Sequence, residues 1–329
     1  MGLPVIVFHR AARNERPAGV VRSWTIILAG VTAVLLLASR AAFAQTDNFD
    51  DNNDVGWTRY DPIGSHPQFP DQATFTVANG AYRIQTAASP LPDPLGPARA
   101  GAIRTDVNYT DFYATVDLVD WDETLQQSVG ILARIKEPGL GMTDGYVMTY
   151  NFRGQDIDIT RFTDEDPSGG NLALSGEDNL ILEKGKKYRL VFWGKGTELG
   201  ARVYDLANLD TPLVDCVGSD STYPNGFCGL LVYDNSSAAT MRTDATFDNY
   251  FAVTEEPPKL QIVDLGFGLL NIQWPGKAAN FKLESTETMP AGTWTPVNEN
   301  FVEYFPELDK FIYQFDGSVG NQFFRLKKP

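Results

Sequence analysis

The feature that most constrains the fold is a series of short segments in which apolar and polar residues alternate with a period of two. These segments are rich in Val, Ile, Tyr, Phe and Thr, and Gly, Pro, Asn and Asp separate them, as strands and turns require. Between residues 75 and 253 the segments are FTVANGAYRIQT (75–86), FYATVDLV (112–119), VGILARIK (129–136), GYVMTYNF (145–152), DIDITRF (156–162), YRLVFW (188–193), LGARVYDL (199–206), GLLVYD (229–234) and ATFDNYFAV (245–253). Helical periodicity is almost absent, so the sequence predicts an all-β antiparallel sandwich.

Two local patterns refine this prediction. Asn79-Gly80 separates two alternating runs, which indicates a two-residue hairpin turn. The Pro-rich stretch ASPLPDPLGPAR (88–99) is incompatible with a central strand, because proline has no N–H to donate to the ladder. We interpret it as a surface loop and a candidate rim of a site.

A domain boundary is predicted at Glu255-Glu256-Pro257-Pro258, which reads as a stiff, exposed linker. Residues 45–256 hold 15 basic and 33 acidic residues, a net charge of −18, whereas residues 257–329 hold 7 and 8, a net charge of −1. The acidic first domain disfavours nucleic acid and acidic polysaccharides as partners. Residues 257–329 repeat the strand pattern in about six or seven short runs, which predicts a small immunoglobulin- or fibronectin-type sandwich.

The N-terminal 44 residues have the organisation of a secretory signal peptide. Four arginines (residues 10, 13, 16 and 22) precede the apolar run Trp24 to Ala38, and Ala42-Phe43-Ala44 forms a small-x-small cleavage site before Gln45. The alternative is an uncleaved anchor, although a run of about 15 residues is short for a bilayer span. We therefore expect an extracellular, periplasmic or cell-surface protein with no membrane span after signal removal.

The chain has two cysteines, Cys216 and Cys228, in the segment DCVGSDSTYPNGFC. Their short spacing across a turn-rich segment, together with the export signal, predicts a disulfide between them. A reactive thiol or a metal pair is the alternative, but no histidine lies nearby, and two cysteines alone do not complete a zinc site.

The first domain resembles the concanavalin A-like lectin/glucanase superfamily, specifically the laminin-G-like domains of secreted bacterial proteins. The resemblance rests on the order of DNFDD and Trp57, FTVANGAYRI, GILARIK, DGYVMTYNF, YRLVFWGKGTELGARVYD, NGFCGLLVYD and FDNYFA, which together span residues 47–253. It implies a jelly-roll sandwich but no particular activity. Residues 259–328, with LLNIQWPGKAANFKLESTETMPAGTWTPV and NQFFRLKK, resemble the small C-terminal β-modules of secreted bacterial proteins and imply an accessory domain.

The sequence contains no recognisable catalytic motif. Hydrolases of the superfamily carry Glu-x-Asp-x-x-Glu on one strand, whereas the nearest strand here offers Asp156 and Asp158 without the partner glutamate. Related lyases use Gln-x-His, but His66, the one histidine after residue 44, lies in the loop segment GSHPQFP. The same shortage of histidine excludes Ser-His-Asp and Cys-His catalysis and a hydrolytic zinc cluster.

The alternation also predicts which side chains face the core. The expected inward set is Phe112, Ala114, Val116, Leu118, Val129, Ile131, Ala133, Ile135, Tyr146, Met148, Tyr150 and Phe152. On the opposite face, aromatic rings, arginines and carboxylates would be suited to the C–H faces and hydroxyls of sugars. The candidate ligand-binding residues are Tyr113, Asp117, Arg134, Asn151, Arg153 and Asp158. The alternative is an ordinary solvent-exposed face with cross-strand pairs such as Asp117 and Arg134.

A structural calcium ion is the candidate cofactor. Asp50 and Asp51 near the start of the domain and Asp248 near its end lie on segments that pair in this superfamily, and its members often hold calcium there. Carboxylate oxygens are the ligands that Ca²⁺ prefers. Solvated aspartates at strand ends are the alternative.

These observations favour an exported carbohydrate-binding, lectin-like protein whose partner is an extracellular glycan. The competing interpretations are a structural or adhesive surface protein that binds another protein and, third, a carbohydrate-active enzyme whose active site does not match a known motif.

Overall fold

The chain folds into two compact units, one ending at Glu256 and the other beginning at Pro257. The computed structural model describes residues 44–167, 170–174, 179–288, 293–317 and 321–327. Residues 1–43, which hold nearly all of the predicted signal peptide, lie outside the described residues. None of the helices among the described residues has the length and apolar character needed to cross a membrane.

The first unit is built from strands joined by turns and loops. In the described part of the chain its strands are β1 (Gln45–Asp47), β2 (Trp57–Tyr60), β3 (Ala73–Ala78), β4 (Ala81–Thr86), β5 (Arg99–Tyr109), β6 (Phe112–Trp121), β7 (Gln127–Lys136), β8 (Asp144–Asn151), β9 (Asp156–Phe162), β10 (Asn171–Leu174), β11 (Tyr188–Lys195), β12 (Glu198–Asp205), β13 (Val214–Ser219), β14 (Gly226–Asp234) and β15 (Thr243–Val253). One short helical turn, Pro92–Leu95, lies in the Pro-rich stretch.

These strands form two antiparallel sheets. The eight-stranded sheet has the order β13-β12-β11-β6-β15-β4-β3, with β1 paired to β15, and the seven-stranded sheet has the order β10-β9-β8-β7-β14-β5-β2. Strands distant in sequence, such as β6 and β15 or β7 and β14, are neighbours. The prediction of an all-β antiparallel jelly-roll sandwich is therefore confirmed.

The core lies between the two sheets and contains most of the predicted inward set. Residues 112, 114, 116 and 118 of β6, residues 129, 131 and 133 of β7, and residues 146, 148 and 150 of β8 are all buried in one cluster, against which Phe152 packs. Ile135 is the exception. It joins a second apolar cluster because the register of β7 shifts between Ala133 and Lys136.

The hairpin at Asn79-Gly80 is confirmed. Ala78 pairs with Ala81, and both turn residues have positive φ, 55° and 71°, as a type I′ turn requires. Asparagine and glycine tolerate this conformation better than other residues, which explains why this dipeptide joins β3 to β4.

The predicted disulfide is not formed, and this prediction is corrected. Cys216 and Cys228 are both free and buried. Cys216 lies on β13, an edge strand of the eight-stranded sheet that contacts β9, whereas Cys228 lies on β14 of the other sheet, three strands away from β9. Three strand spacings amount to about 14 Å, well beyond the roughly 4.4–6.8 Å between Cα atoms that a disulfide allows.

The second unit consists of two smaller sheets. Its strands are β16 (Gln261–Gly266), β17 (Leu269–Pro275), β18 (Lys282–Thr286), β19 (Thr295–Pro296), β20 (Val302–Phe305), β21 (Lys310–Asp316) and β22 (Phe323–Lys327). Four of them form a sheet in the order β16-β17-β21-β20, and the other three form β19-β18-β22. Ile272, Trp274, Leu283, Phe324 and Leu326 are buried together as its core.

Candidate functional site

The seven-stranded sheet carries a transverse row of polar side chains on the face turned away from the core. Since Met148, Tyr150 and Ile157 point into the core, the residues that alternate with them point outward. The strand registers place Arg99, Tyr233, Ser128, Asn151 and Asp156 side by side across β5, β14, β7, β8 and β9. We call this face the outer face.

Another register row, which we call the second row, lies beside this row. It consists of Gly101, Leu231, Gly130, Thr149 and Asp158. A Cβ atom on Gly130 would lie 1.8 Å from the carbonyl oxygen of Met148, so this position accepts only glycine. Leu231 lies between the two glycines and is buried in a small apolar cluster.

A pocket of about 390 Å³ opens at the Arg99 end of the row. Its walls are the Pro-rich segment 94–97, the turn at Leu140-Gly141 and the loop 164–167, and Arg99 and Tyr233 line it from the sheet. The volume is within the range of small-molecule sites. The Pro-rich stretch thus lies at the rim of a pocket, as its composition suggested.

A buried ion pair holds the three walls together. Arg99 donates to Glu165 through Nε (3.0 Å) and Nη2 (2.7 Å), and its Nη1 donates to the carbonyl oxygens of Leu95 and Pro97 (2.9 Å each). Gly141 donates its N–H at 2.6 Å to Oε2 of Glu165, the oxygen that also accepts from Arg99 Nη2. The side chains of Arg99 and Glu165 are only 10% and 6% exposed. We call this pair and its contacts the loop clamp.

Tyr60 completes the loop clamp from β2. Its hydroxyl donates to Glu165, and the Thr143 hydroxyl lies 3.1 Å from it. Burial raises the pKa of Tyr60, and the charge of Glu165 raises it further, so the phenol stays protonated as a donor. Burial alone would lower the pKa of Arg99, but its hydrogen bonds to Glu165 and the charge of that residue outweigh this effect, and the pKa is raised.

The loop that carries Glu165 is held in an uncommon backbone conformation. Asp164 and Glu165 both have positive φ, 52° and 62°. Residues other than glycine keep a positive φ where surrounding contacts hold the backbone in that conformation, and such residues are common at binding sites. The loop clamp supplies that constraint, and as a result the exposed side chains of Asp164 and Asp166 lie at the pocket.

The clamp leaves a defined set of groups for a ligand. Arg99 and Glu165 direct their polar atoms at each other and at the loops, so the groups of the pocket lining that can contact a ligand include the half-buried ring of Tyr233 and the exposed carboxylate of Asp164. An aromatic ring packs against the C–H face of a sugar, and carboxylates accept hydrogen bonds from its hydroxyls. The clamp fixes these groups in place before any ligand arrives.

The structure does not bring the six predicted ligand-binding residues together. Tyr113 and Asp117 lie on β6 of the eight-stranded sheet, whereas the other four lie on or beside β7, β8 and β9 of the seven-stranded sheet. The expected pair of Asp117 with Arg134 is likewise absent, because Asp117 instead accepts two hydrogen bonds from Arg189, at 2.7 and 3.0 Å.

Arg134 is buried rather than outward-facing, which corrects the prediction. It has φ of 51° at the bulge in β7, and its guanidinium donates to the carbonyl oxygens of Thr110, Tyr223 and Gly196 at 3.0, 3.2 and 2.8 Å. The bulge reverses the alternation that a regular strand would have at this point.

The remaining candidates lie near the outer face but serve local structure. Asn151 belongs to the polar row, and its side-chain oxygen accepts from the N–H groups of Arg153 and Gly154 in the following turn. Asp158 lies in the second row and accepts from Thr149 and Thr160 at 3.0 and 2.9 Å. Burial raises the pKa of Asp158 to about 6; the two hydroxyls oppose the shift and Asp156 adds to it.

The predicted calcium site is not formed by the three aspartates. β1 does pair with β15, which brings the two ends of the domain together as expected. However, the described residues include no group of three or more His, Cys, Asp or Glu side chains able to hold a metal. The Asp51 and Asp248 carboxylates instead accept hydrogen bonds from the backbone N–H groups of Asn53 and Asn249.

Arg99, Glu165 and Tyr233 were not among the ligand-binding residues predicted from the sequence. Arg99 and Glu165 are 66 residues apart, and no local pattern links them. One signal was available: the Pro-rich stretch ends at Arg99, and an arginine that follows a rim loop directly is a candidate for its support.

Comparisons with known proteins identify similar solved structures. No protein-family model matches the chain, and no curated protein matches it in sequence. The carbohydrate-binding module CBM66 from Bacillus subtilis is 15% identical, with a TM-score of 0.43 over 61% of this chain and 97% of that one. The basic winged bean lectin with Tn-antigen is 9% identical, with a TM-score of 0.43 over 64% and 98%. The exoplasmic/lumenal domain of VIP36 in its Ca²⁺/Man-bound form is 8% identical, with a TM-score of 0.41 over 61% and 84%.

Proposed function

We propose that the first unit binds a neutral glycan in the pocket at the rim of the outer face. The observation that carries this proposal is the loop clamp, which fixes three loops around the Tyr233 ring and the exposed carboxylate of Asp164. A preformed pocket that offers an aromatic ring and a carboxylate acceptor suits a polyhydroxylated ligand, since little ordering is needed on binding.

The charge of the unit supports a neutral rather than an acidic glycan. Residues 45–256 have a net charge of −18, and the acidic residues Asp164 and Asp166 line the pocket itself. Uronate or sulfate groups would be repelled there, and the guanidinium of Arg99 is already engaged by Glu165.

The N-terminal sequence supports export, so that the glycan would be extracellular, periplasmic or on a cell surface. We further propose that the first unit is laminin-G-like, on the basis of the sequence segments within residues 47–253. We propose likewise that the second unit is a fibronectin- or immunoglobulin-like accessory module, on the basis of residues 259–328.

A glycan array probed with the chain from Gln45 to Pro329, followed by calorimetric titration of the neutral glycans that bind, tests the proposal. Tyr233→Ala should weaken binding by about tenfold or more, because the ring contributes the main apolar contact. Tyr304→Ala, which removes an exposed tyrosine of the second unit, is the matched control and should leave affinity unchanged. An array on which only acidic glycans bind, or equal affinities for the Tyr233→Ala variant and the parent chain, would contradict the proposal.

A further inference from the structure

The turn between β16 and β17 carries three apolar side chains within five residues. Its sequence is Leu265-Gly266-Phe267-Gly268-Leu269, and we call it the apolar tip. Phe267 is fully exposed, at 106% of its reference area, and Leu265 and Leu269 are 45% and 42% exposed. The Phe267 ring therefore packs against none of the residues that the structure describes.

The backbone of the apolar tip is unfavourable for the residue at its apex. Gly266, Phe267 and Gly268 all have positive φ, 81°, 55° and 83°. Glycine and asparagine adopt this conformation readily, whereas a bulky aromatic residue is rare there. Phe267 thus contributes neither core packing nor a favourable turn conformation, which points to a role outside the fold of the unit.

The shape of the apolar tip restricts what can cover it. A sugar platform needs a ring that lies against a support, whereas the Phe267 ring is wholly exposed and rests on none of the described residues. A convex tip also cannot enclose a small ligand. The boundary between lipid headgroups and acyl chains accepts projecting aromatic and aliphatic side chains and needs no matching pocket.

We propose that the apolar tip inserts into the surface of a zwitterionic lipid membrane and so gives the second unit a weak membrane contact. The tip contains no charged residue. Asp264, which accepts a hydrogen bond from Gly266 N–H at 2.7 Å, and Asp316, whose carboxylate lies beside Gly268, mark its base and limit insertion to the side chains of residues 265–269.

Charge favours zwitterionic over anionic lipid. The second unit has a net charge of −1, which allows approach to a neutral surface, whereas the net charge of −18 on residues 45–256 opposes approach to an anionic one. This repulsion should weaken as salt screens it.

The second unit also supplies a matched control surface. Phe301, Tyr304, Phe305 and Leu308 are 65%, 47%, 39% and 59% exposed. Glu303 and Glu307 are interspersed among them, so this surface cannot enter the apolar part of a bilayer without burying carboxylates.

Co-sedimentation of the chain from Gln45 to Pro329 with phosphatidylcholine vesicles tests the inference, because this chain lacks the apolar N-terminal segment that would itself bind lipid. We expect measurable partitioning that falls about tenfold or more in Phe267→Asn, since one phenylalanine ring leaves the interface. Phe267→Trp should retain partitioning, and Phe301→Asn should not change it. Replacing part of the phosphatidylcholine with phosphatidylserine should weaken binding at low salt.

The melting temperatures of the variants distinguish a loss of membrane contact from a loss of folding. Asparagine suits the positive φ at position 267, so Phe267→Asn should melt at the same temperature as the parent or higher. Leu265→Ser is a second variant that should also lower partitioning. No partitioning of the parent chain, or an equal loss in Phe301→Asn, would overturn the inference.

Discussion

The two sheets of the first unit each carry an arginine–carboxylate pair on the face turned away from the core, and the pairs occupy different positions. Arg189 and Asp117 are direct cross-strand neighbours on β11 and β6 of the eight-stranded sheet, where Asn249 also donates to Asp117. Arg99 and Glu165 instead join the start of β5 to a loop beyond β9. The same kind of ion pair links two neighbouring strands in one sheet and joins the loops around a pocket in the other. The position of the pair, rather than its residue types, therefore determines what it stabilises.

Glu165→Gln should have the largest effect on stability and binding, and it tests directly whether the Arg99–Glu165 pair shapes the pocket. It leaves the buried Arg99 guanidinium without its counter-charge, which should lower the free energy of unfolding by about 3 kcal/mol. Because the loops lose their common anchor, glycan binding should also be lost at temperatures where the variant is folded. Thermal unfolding measures the loss of stability, calorimetric titration measures the loss of glycan binding, and limited proteolysis of the Pro-rich rim measures the release of the loops.

Asp117→Asn is the matched variant in the other sheet. Arg189 is 30% exposed and can be solvated when its partner is neutralised, so the free energy of unfolding should fall by about 1.5 kcal/mol. The pocket is distant from this pair in the sandwich, and glycan affinity should remain that of the parent. A loss of affinity comparable to that of Glu165→Gln would remove the distinction between the two pairs.

The sequence predicted the strands well and the site poorly, for a physical reason. Period-two alternation is a local property, and the segments at 129–136 and 145–152 became β7 and β8. Sheet membership is not local. β6 and β7 follow each other in the chain but lie in different sheets, so Tyr113 and Asn151 could not be placed on one face by alternation.

Local exceptions and long-range contacts account for the rest. The bulge that buries Arg134 depends on its hydrogen bonds to three distant carbonyl groups, which no pattern in β7 reveals. The loop clamp likewise depends on loops that meet only after the sandwich has formed. Only the Pro-rich rim, whose composition excluded a central strand, was visible beforehand.

A third prediction concerns Asp158, a carboxylate whose environment differs from that of Asp117. Asp158 accepts hydrogen bonds from two threonine hydroxyls, and its pKa is raised to about 6, chiefly by burial. The folded state therefore binds a proton more tightly than the unfolded state, so the stability contributed by the neutral form is present below about pH 4 and is lost as the pH rises through 6.

Asp158→Asn should accordingly stabilise the chain at pH 8 by about 2 kcal/mol and have little effect at pH 4. Chemical unfolding of the parent and the variant across this pH range measures the difference. A constant difference between pH 4 and pH 8 would show that Asp158 does not titrate in this window.

The smallest expected effect concerns the two thiols, one in each sheet. Cys216 and Cys228 are free and buried, and burial raises the pKa of each thiol to about 12. Thiolates are the reactive species, so neither residue should react with a thiol reagent at pH 8 until the chain unfolds, when both should react.

A disulfide would contribute about 2 to 4 kcal/mol and would make the melting temperature sensitive to reductant. We expect identical melting curves with and without reductant in exported material, because the two cysteines lie on strands too far apart to be joined. A fall of several degrees on reduction would mean that β13 and β14 approach each other more closely than the sandwich described here allows.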